Sequence, residues 1–428
     1  MEVKAGYKLT EVGVVPDEWE VKPLEEVFTL RHGFAFPSEN FSESGPIVLT
    51  PGNFRLDGGL YFEERNTKRY SGGVSKKMTF SRGDLLIVMT DLTPNCNLLG
   101  KPAFVQTDEI ILHNQRIGKL VLKDTSVHLP LLFYLLLSRT YLDHIKAHAF
   151  GSTVRHTSNR SIYSAQLAWP PVPEQRAIAA VLSDVDSLLR GLERLIAKKR
   201  DLKQAAMQQL LTGQTRLPGY SGAWEVKRLG EIADLSQRWS FTGGPFGSNL
   251  KSADYTEDGV RIIQLQNIGD GVFLDDYKIF TSQTKADELL SCNIFPGEII
   301  LSKMGDPVAR ACIIPSAHDR YVMCSDGIRL AVDQRRYGTY FIYTMINAPE
   351  FREKAANAGT GSTRKRIGLT ELRSLGLKCP PLAEQSAIAA VLSDMDAELS
   401  ALVARRDKTR ALKQAMMQEL LTGRTRLL

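Results

Sequence analysis

A chain of 428 residues, 43% hydrophobic and 24% charged with 33 Gly and 19 Pro, has the make-up of a folded, loop-containing protein of about two to four domains and excludes a disordered polymer. Lys and Arg number 54 against 48 Asp and Glu, a formal charge of +6 that permits nucleic acid or another anionic partner without requiring one. The five cysteines are scattered, with no C-x-x-C pair, and read as reduced thiols of a cytoplasmic chain; the start lacks the apolar core of a signal peptide and no stretch approaches about eighteen apolar residues, so neither export nor membrane spanning is expected.

In chain order, WEVKPLEEV from Trp19 opens a first variable body, about residues 20 to 169. Within it GPIVLTPGNF (Gly45 to Phe54) and SRGDLLIVMTD (Ser81 to Asp91) carry short, partly β-branched apolar runs bounded by Gly, which predict strands. LPLLFYLLLS, inside Ser126 to Arg139, has helical length. A small-residue loop, GSTVRHTS, follows from Gly151, and then Pro170, Pro171 and Pro173, which stop any preceding helix. From Ile178 onward Leu182, Val185, Leu189, Leu192, Ile196, Lys199, Leu202, Ala206 and Leu210 recur at steps of three or four. That spacing predicts a helix from about Ala177 to Thr212, roughly 50 Å long, stopped at Gly213.

The chain then repeats itself. WEVKRLGEI from Trp224 opens a second body, about residues 225 to 379, in which GVRIIQLQNI (Gly259 to Ile268) and PGEIILSKMGD (Pro296 to Asp306) predict strands and Tyr337 to Ala348 a helix. GSTRKRIG from Gly361 answers the first GST loop. PPVPEQRAIAAVLSDVD (Pro170 to Asp186) returns as PPLAEQSAIAAVLSDMD (Pro380 to Asp396), identical at thirteen of seventeen positions and shifted by 210 residues. At the same shift, KRDLKQAAMQQLLTGQTRL (Lys199 to Leu217) returns as TRALKQAMMQELLTGRTRL (Thr409 to Leu427). The second helix carries Leu392, Met395, Leu399, Leu402, Leu412, Met416 and Leu420, with Arg406 and Thr409 interrupting the stripe.

Two long helices with nearly equal apolar stripes are expected to pack on each other. An intramolecular antiparallel coiled coil with a pseudo-twofold axis, one mixed α/β body near each end, is the expected fold; a homodimeric zipper between chains is the alternative. A scaffold of this kind offers like surfaces to two copies of one partner and unlike bodies to two targets. DNA is a candidate target, because a rigid spacer would fix the separation of two half-sites.

The sequence resembles the specificity subunit of type I DNA restriction-modification systems, essentially from end to end. The resemblance is carried by YKLTEVGVVPDEWEVKPL at residues 7 to 24, GPFGSNL at 244 to 250, GSTRKRI at 361 to 367, and the doubled PPxxEQxAIAxVLSDxD followed by ALKQxxMQxLLTGxTRL. It implies a first target recognition domain over residues 1 to 169, a central helical spacer over 170 to 217, a second recognition domain over 218 to 379 and a C-terminal helical spacer over 380 to 428. It further implies double-stranded DNA as ligand, read as a split, asymmetric sequence, with two methyltransferase subunits docked on the helical regions and motor-nuclease restriction subunits joining them. S-adenosylmethionine, ATP and magnesium would then belong to those partners, adenine would be the methylated base, and this chain would bind no cofactor. The isolated chain could be monomer or homodimer. Asp201 faces Ala411 and Gln209 faces Glu419 across the repeats, so the two docking surfaces are expected to be similar without being identical.

Candidate DNA contacts come first from the GST loops. Gly361, Ser362, Thr363, Arg364, Lys365 and Arg366 set small hydroxyl residues beside a positive run suited to phosphate, and Gly151, Ser152, Thr153, Arg155 and His156 form a less charged counterpart. A solvated basic loop is the bland alternative. For base reading, Gln264, Gln266 and Asn267, and in the first body Asn53 and Arg55, follow strand-like runs; Lys303 and Arg310 flank a Gly-Asp turn. Surface polar residues at strand ends would look the same. Gly243 to Gly247 reads as a structural turn, and Tyr61, Phe62 and Tyr70 among Arg65, Lys68 and Arg69 as a basic aromatic patch or ordinary hairpin packing.

Signatures of catalysis are missing. There is no methyltransferase glycine fingerprint and no Walker phosphate loop, and HIKAH at His144 to His148 has Ile145 where a zinc protease needs Glu. The expected protein is a non-catalytic recognition subunit; the competing reading is a coiled-coil scaffold with two protein-binding heads.

Overall fold

The computed structural model describes residues 4–93, 95–361 and 364–427. They divide into two compact units, Met1–Glu193 with Ala404–Leu428, and Arg194–Val403.

The first unit is built on an antiparallel sheet of β1 (Phe28–His32), β2 (Leu85–Val88), β3 (Pro102–Phe104) and β4 (Ile117–Leu122), in spatial order β1-β4-β2-β3. Every residue of β2 is buried, which explains why LLIV lacks the alternation of a half-exposed strand. Leu85 and Ile87 pack into a core with Trp19, Leu131 and Ile178, while Leu86 and Val88 point the other way into a second core with Leu49, Phe54 and Ile111. The second unit repeats the arrangement with β5 (Phe241–Gly243), β6 (Ile299–Ser302), β7 (Ala311–Ile313) and β8 (Gly327–Leu330), in order β5-β8-β6-β7. Ile299 and Leu301 face a core with Phe341 and Leu392, and Ile300 faces one with Ile263 and Met323. Each unit thus stands two apolar cores on opposite faces of one central strand, although the two bodies share little sequence.

A short antiparallel clasp closes each body. Glu20–Pro23 pairs with Gln166–Trp169, and Glu225–Arg228 with Gly376–Cys379. In both, a proline pair then leads into a long helix: α1 (Val172–Thr212) and α2 (Leu382–Leu420). The first helix begins before the Ala177 expected from sequence, because Pro173 sits in its first turn, where a missing N–H costs nothing and the fixed φ suits a helix. The apolar run within Ser126 to Arg139 forms only Leu129–Leu135, and a separate helix, Arg139–Ala147, starts on Ser138, whose hydroxyl accepts from Tyr141 N.

The two long helices pair antiparallel within the chain, as each unit shows by itself. In the first, Asp186 meets Lys413 at 2.6 Å and Glu193 meets Arg410 at 3.1 Å, so the register rises on one helix as it falls on the other. In the second, Lys203 meets Asp396 and Lys199 meets Glu398 at 2.7 Å. Ile178, Leu182, Leu189, Leu192 and Ile196 are buried as expected, each contributing about 1.5–3 kcal/mol of transfer free energy. Leu202 and Leu412 are not in the seam: they are 47% and 56% exposed. The following residues, Lys203 and Lys413, turn inward instead, because an aspartate on the opposite helix neutralises each ammonium.

Candidate nucleic-acid interface

The residues that close the two GST loops are bonded alike. In the first unit Phe150 and His156 exchange backbone hydrogen bonds of 3.1 and 2.8 Å, closing a tight loop around Gly151. Gly151 has φ +94°, and a Cβ there would lie 2.1 Å from Val154 O; no side chain fits. In the second, Thr360 and Arg366 exchange bonds of 2.8 Å around Gly361, at φ +103°. Each loop lies along the end of its unit's central strand: Arg155 and His156 pair with Asp91 and Thr90, and Arg366 bridges to Met304.

This arrangement brings Lys303, Arg364, Lys365 and Arg366 together. Ile367 N donates to Lys303 O at 2.9 Å and Gly305 N to Lys365 O at 3.1 Å. Arg364, Lys365 and Arg366 are exposed. The Arg366 guanidinium pairs with Asp326, while Lys365 Nζ donates to Ala356 O at 2.9 Å. Arg310, half-buried, follows the same turn, and its backbone N donates to Ser302 Oγ at 3.0 Å. Ser362 and Thr363 lie outside the described residues. In the first unit Ser152 and Thr153 are exposed, but Arg155 is spent on the loop itself, donating to Gly151 O at 2.7 Å and contacting Cys96 Sγ at 3.4 Å.

The base-reading candidates fare unevenly. Asn53 and Asn267 are corrections. Both are buried, and each amide is consumed in capping a short 3-10 turn: Asn53 Oδ1 accepts from Thr50 N and its Nδ2 donates to Asn66 O, while Asn267 Oδ1 accepts from Gln264 N and its Nδ2 donates to Leu274 O and Tyr277 O. At 0% and 1% exposed, neither amide is open to a base edge. Arg55 is exposed yet turned toward α1, 3.5 Å from Glu193 and 3.3 Å from Asp57. Gln264 donates to the Tyr255 hydroxyl at 3.2 Å; Gln266 is exposed. The strand before them, Val260–Ile263, runs beside Tyr321–Met323, which enters the Cys324–Gly327 turn, and Cys324 N donates to Ile263 O at 2.9 Å.

Sequence reasoning missed Asp91 and Asp326. Asp91 is buried and accepts from Thr93 N, Thr93 Oγ1 and Leu98 N, organising the turn beneath the first GST loop. The Asp-Leu-Thr-Pro run carries the signature of such a turn. Asp326 gives no local signal, because its partner lies forty residues away in the chain.

No group of His, Cys, Asp and Glu suited to a metal occurs among the described residues. The His144 and His148 rings lie tilted to each other with centroids 4.3 Å apart, His144 Nε2 on Ser161 O and His148 Nδ1 on His144 O. All five cysteines are free and buried, and burial pushes the Cys312 and Cys379 thiols up to about 12. Among the described residues no helix is long and apolar enough to cross a membrane.

A family model described as the type I restriction modification DNA specificity domain matches residues 16–199 and again 222–409. The type I restriction enzyme MjaVIII specificity subunit of Methanocaldococcus jannaschii is 20% identical, over 96% of this chain and 94% of its own. The EcoBI specificity subunit of Escherichia coli is 22% identical, over 87% and 78%. In fold, the crystal structure of a type I restriction-modification S subunit from M. genitalium superposes with a TM-score of 0.58 at 15% identity, covering 98% of both chains. A duplicated domain match, together with a duplicated fold on paired helices, places the chain in the type I restriction-modification DNA specificity family, as a specificity subunit without catalytic activity of its own.

Proposed function

We propose that this chain reads an asymmetric DNA sequence in two separate blocks and thereby positions methyltransferase and restriction subunits over it. The recognition domains are residues 1 to 169 and 218 to 379, and the helical regions 170 to 217 and 380 to 428 serve as spacer and docking surface. The observation that carries the reading is the duplicated scaffold bearing unlike loops: the same strand order and the same closing pair of backbone hydrogen bonds occur in each unit, but with Arg364, Lys365 and Arg366 in one and Val154, Arg155 and His156 in the other. Equal frames with unequal contact residues suit a split, non-palindromic target. Exposed cations beside a loop of backbone N–H groups suit phosphate, which would set register, while base contacts specify.

Partner docking is supported by exposed leucines on α1 in each unit, Leu188 in the first, 44% exposed, and Leu195 and Leu202 in the second, 39% and 47% exposed. Their counterparts on α2 are Glu398, Arg405 and Leu412, so two partner copies would be held with unequal strength. S-adenosylmethionine, ATP and magnesium belong to the partners, and a flipped adenine would enter a partner's pocket.

The test is selection from random duplexes by the chain assembled with its methyltransferase subunits. Two short fixed blocks at a constant gap are expected; one block, or none from a fully assembled complex, overturns the reading. Exchanging residues 218 to 379 should alter one block alone, and lengthening the helix between Gly191 and Lys203 should alter the gap alone.

A further inference from the structure

In the second unit, β5 runs into the turn Gly243-Gly244-Pro245-Phe246-Gly247, which the contacts above leave unused. The turn is anchored on both sides. A Cβ on Gly244 would lie 1.7 Å from Cys324 O, and Gly244 N donates to Gly327 O at 2.8 Å, so only glycine lets the turn seat against the Cys324–Gly327 backbone. Pro245 and Leu250 are buried, and Asn249 N donates to Phe246 O at 2.8 Å. Between these anchors Phe246 is held 83% exposed. The ring thus stands in water on a turn whose ends are fixed.

The seat of that turn is shared with the cationic loop. Asp326, within the same Cys324–Gly327 turn, pairs with Arg366 and accepts from Lys303 N through its carbonyl at 2.7 Å. One four-residue turn therefore supports both the exposed ring and the strip of Lys303, Arg364, Lys365 and Arg366. The first unit builds a related device: a Cβ on Gly33 would lie 2.2 Å from His113 O, Phe34 N donates to that same oxygen at 2.7 Å, and Phe34 is 39% exposed.

Resting on the DNA reading above, we propose that Phe246 is a wedge that enters the stack at a base step of the block read by the second unit, opening that step while the neighbouring cations hold the phosphates. An apolar ring beside positive charge suits this use, because each base offers a π-face and the cations offset the backbone charge brought close by the deformation. Selectivity then follows in part from how readily the wedged step unstacks, favouring flexible pyrimidine–purine steps at a position that no polar side chain touches.

The experiment uses the full chain assembled with its methyltransferase subunits and the duplex selected above, with 2-aminopurine placed at successive positions of each block. The wild type should raise the fluorescence at one step of the second unit's block. Phe246→Ala should abolish that rise and weaken binding about tenfold, on the scale of one lost stacking contact; a mismatch at that step should restore most of the affinity, and Phe246→Leu should retain the rise. Unchanged thermal unfolding of Phe246→Ala is expected, since the ring is 83% exposed. If the wild type binds the duplex but no step brightens, or Phe246→Ala matches the wild type in affinity and fluorescence, the wedge is overturned and the DNA reading stands. Equal loss on paired and mismatched duplexes likewise overturns it. Failure of the wild type to select any duplex overturns the DNA reading itself.

Discussion

Asp186 on α1 accepts a 2.6 Å salt bridge from Lys413 on α2, and 210 residues along from each, Asp396 receives Lys203. A tyrosine from the neighbouring body completes each group: the Tyr134 hydroxyl donates to Asp186 at 2.8 Å and that of Tyr340 to Asp396 at 2.5 Å. With the Lys413 side chain 9% exposed, Asp186→Ala strands an ammonium in the seam and should cost about 2–4 kcal/mol. Exchanging the charges, Asp186→Lys with Lys413→Asp, should recover part of the loss. Hydrogen exchange along both helices reads the effect, and additive losses in the double-mutant cycle would contradict the coupling.

A second duplicated contact fixes where each helix starts. Glu174, 1% exposed, accepts from Trp19 Nε1 at 3.0 Å and from Arg426 Nε at 2.6 Å; Glu384, also 1% exposed, takes Arg216 through both oxygens at 2.5 Å. Glu174→Gln keeps an acceptor for the indole but loses the charge, and should lower stability by about 1–3 kcal/mol. Proteolytic nicking should then rise in the first unit alone, whereas Glu384→Gln should expose only the second.

Lys101 gives a pH dependence. Burial, with Lys146 and Lys413 nearby and Asp57 partly opposing, lowers its pKa from 10.5 to about 8. Between those values the unfolded chain holds the proton that the folded chain has released, so this group's contribution to stability rises with pH; below about 8 the folded state carries the full cost of burying the charge. Lys101→Met should therefore be more stable than the wild type by about 1–3 kcal/mol at pH 7, with the advantage shrinking toward pH 10. A gap between the two melting curves that does not change with pH would refute this.

The cationic loop should act through phosphate. Arg364→Ala should weaken binding to all duplexes alike and reduce the slope of log affinity against log salt by about 0.9 for a lost contact. Arg366→Ala should change that slope less, since its guanidinium already pairs with Asp326. A loss confined to one base position would instead mark Arg364 as a base reader.

Gly244→Ala should degrade only the block read by the second unit, because its Cβ has no room beside Cys324 O, while Gly247→Ala, with nothing within 4 Å, should be silent. Sequencing of the duplexes selected by each variant checks both.

The long helices were legible in sequence because their apolar spacing persists over many turns, and the GST loops because they recur at the 210-residue shift of the helices; the clasp was not read, since its first strand recurs at 205 residues and its second at 210. The seam at Leu202 and Leu412 was misread: hydropathy ranks leucine above lysine, and only the aspartate facing Lys203 from the other helix reverses that order. Strands such as Leu85–Val88 were readable from β-branched content, but their shared order was not, since pairing between distant segments leaves no local trace. Asn53 and Asn267 were misassigned for a related reason. An amide at the end of a strand looks the same in sequence whether it caps a buried turn or faces a ligand.

The lysine in the seam has a genetic consequence. Each long helix carries both members of the ion pair, Asp186 with Lys203 on one and Asp396 with Lys413 on the other, so either is complementary to a reversed copy of itself. A gene encoding one body and one helix would already specify its own mate, and tandem duplication could follow with no new surface to invent. Selection would then hold the ends of the two rods nearly constant while the bodies they carry drifted apart, which accounts for a chain that repeats itself closely at the ends of its long helices and is dissimilar in its bodies.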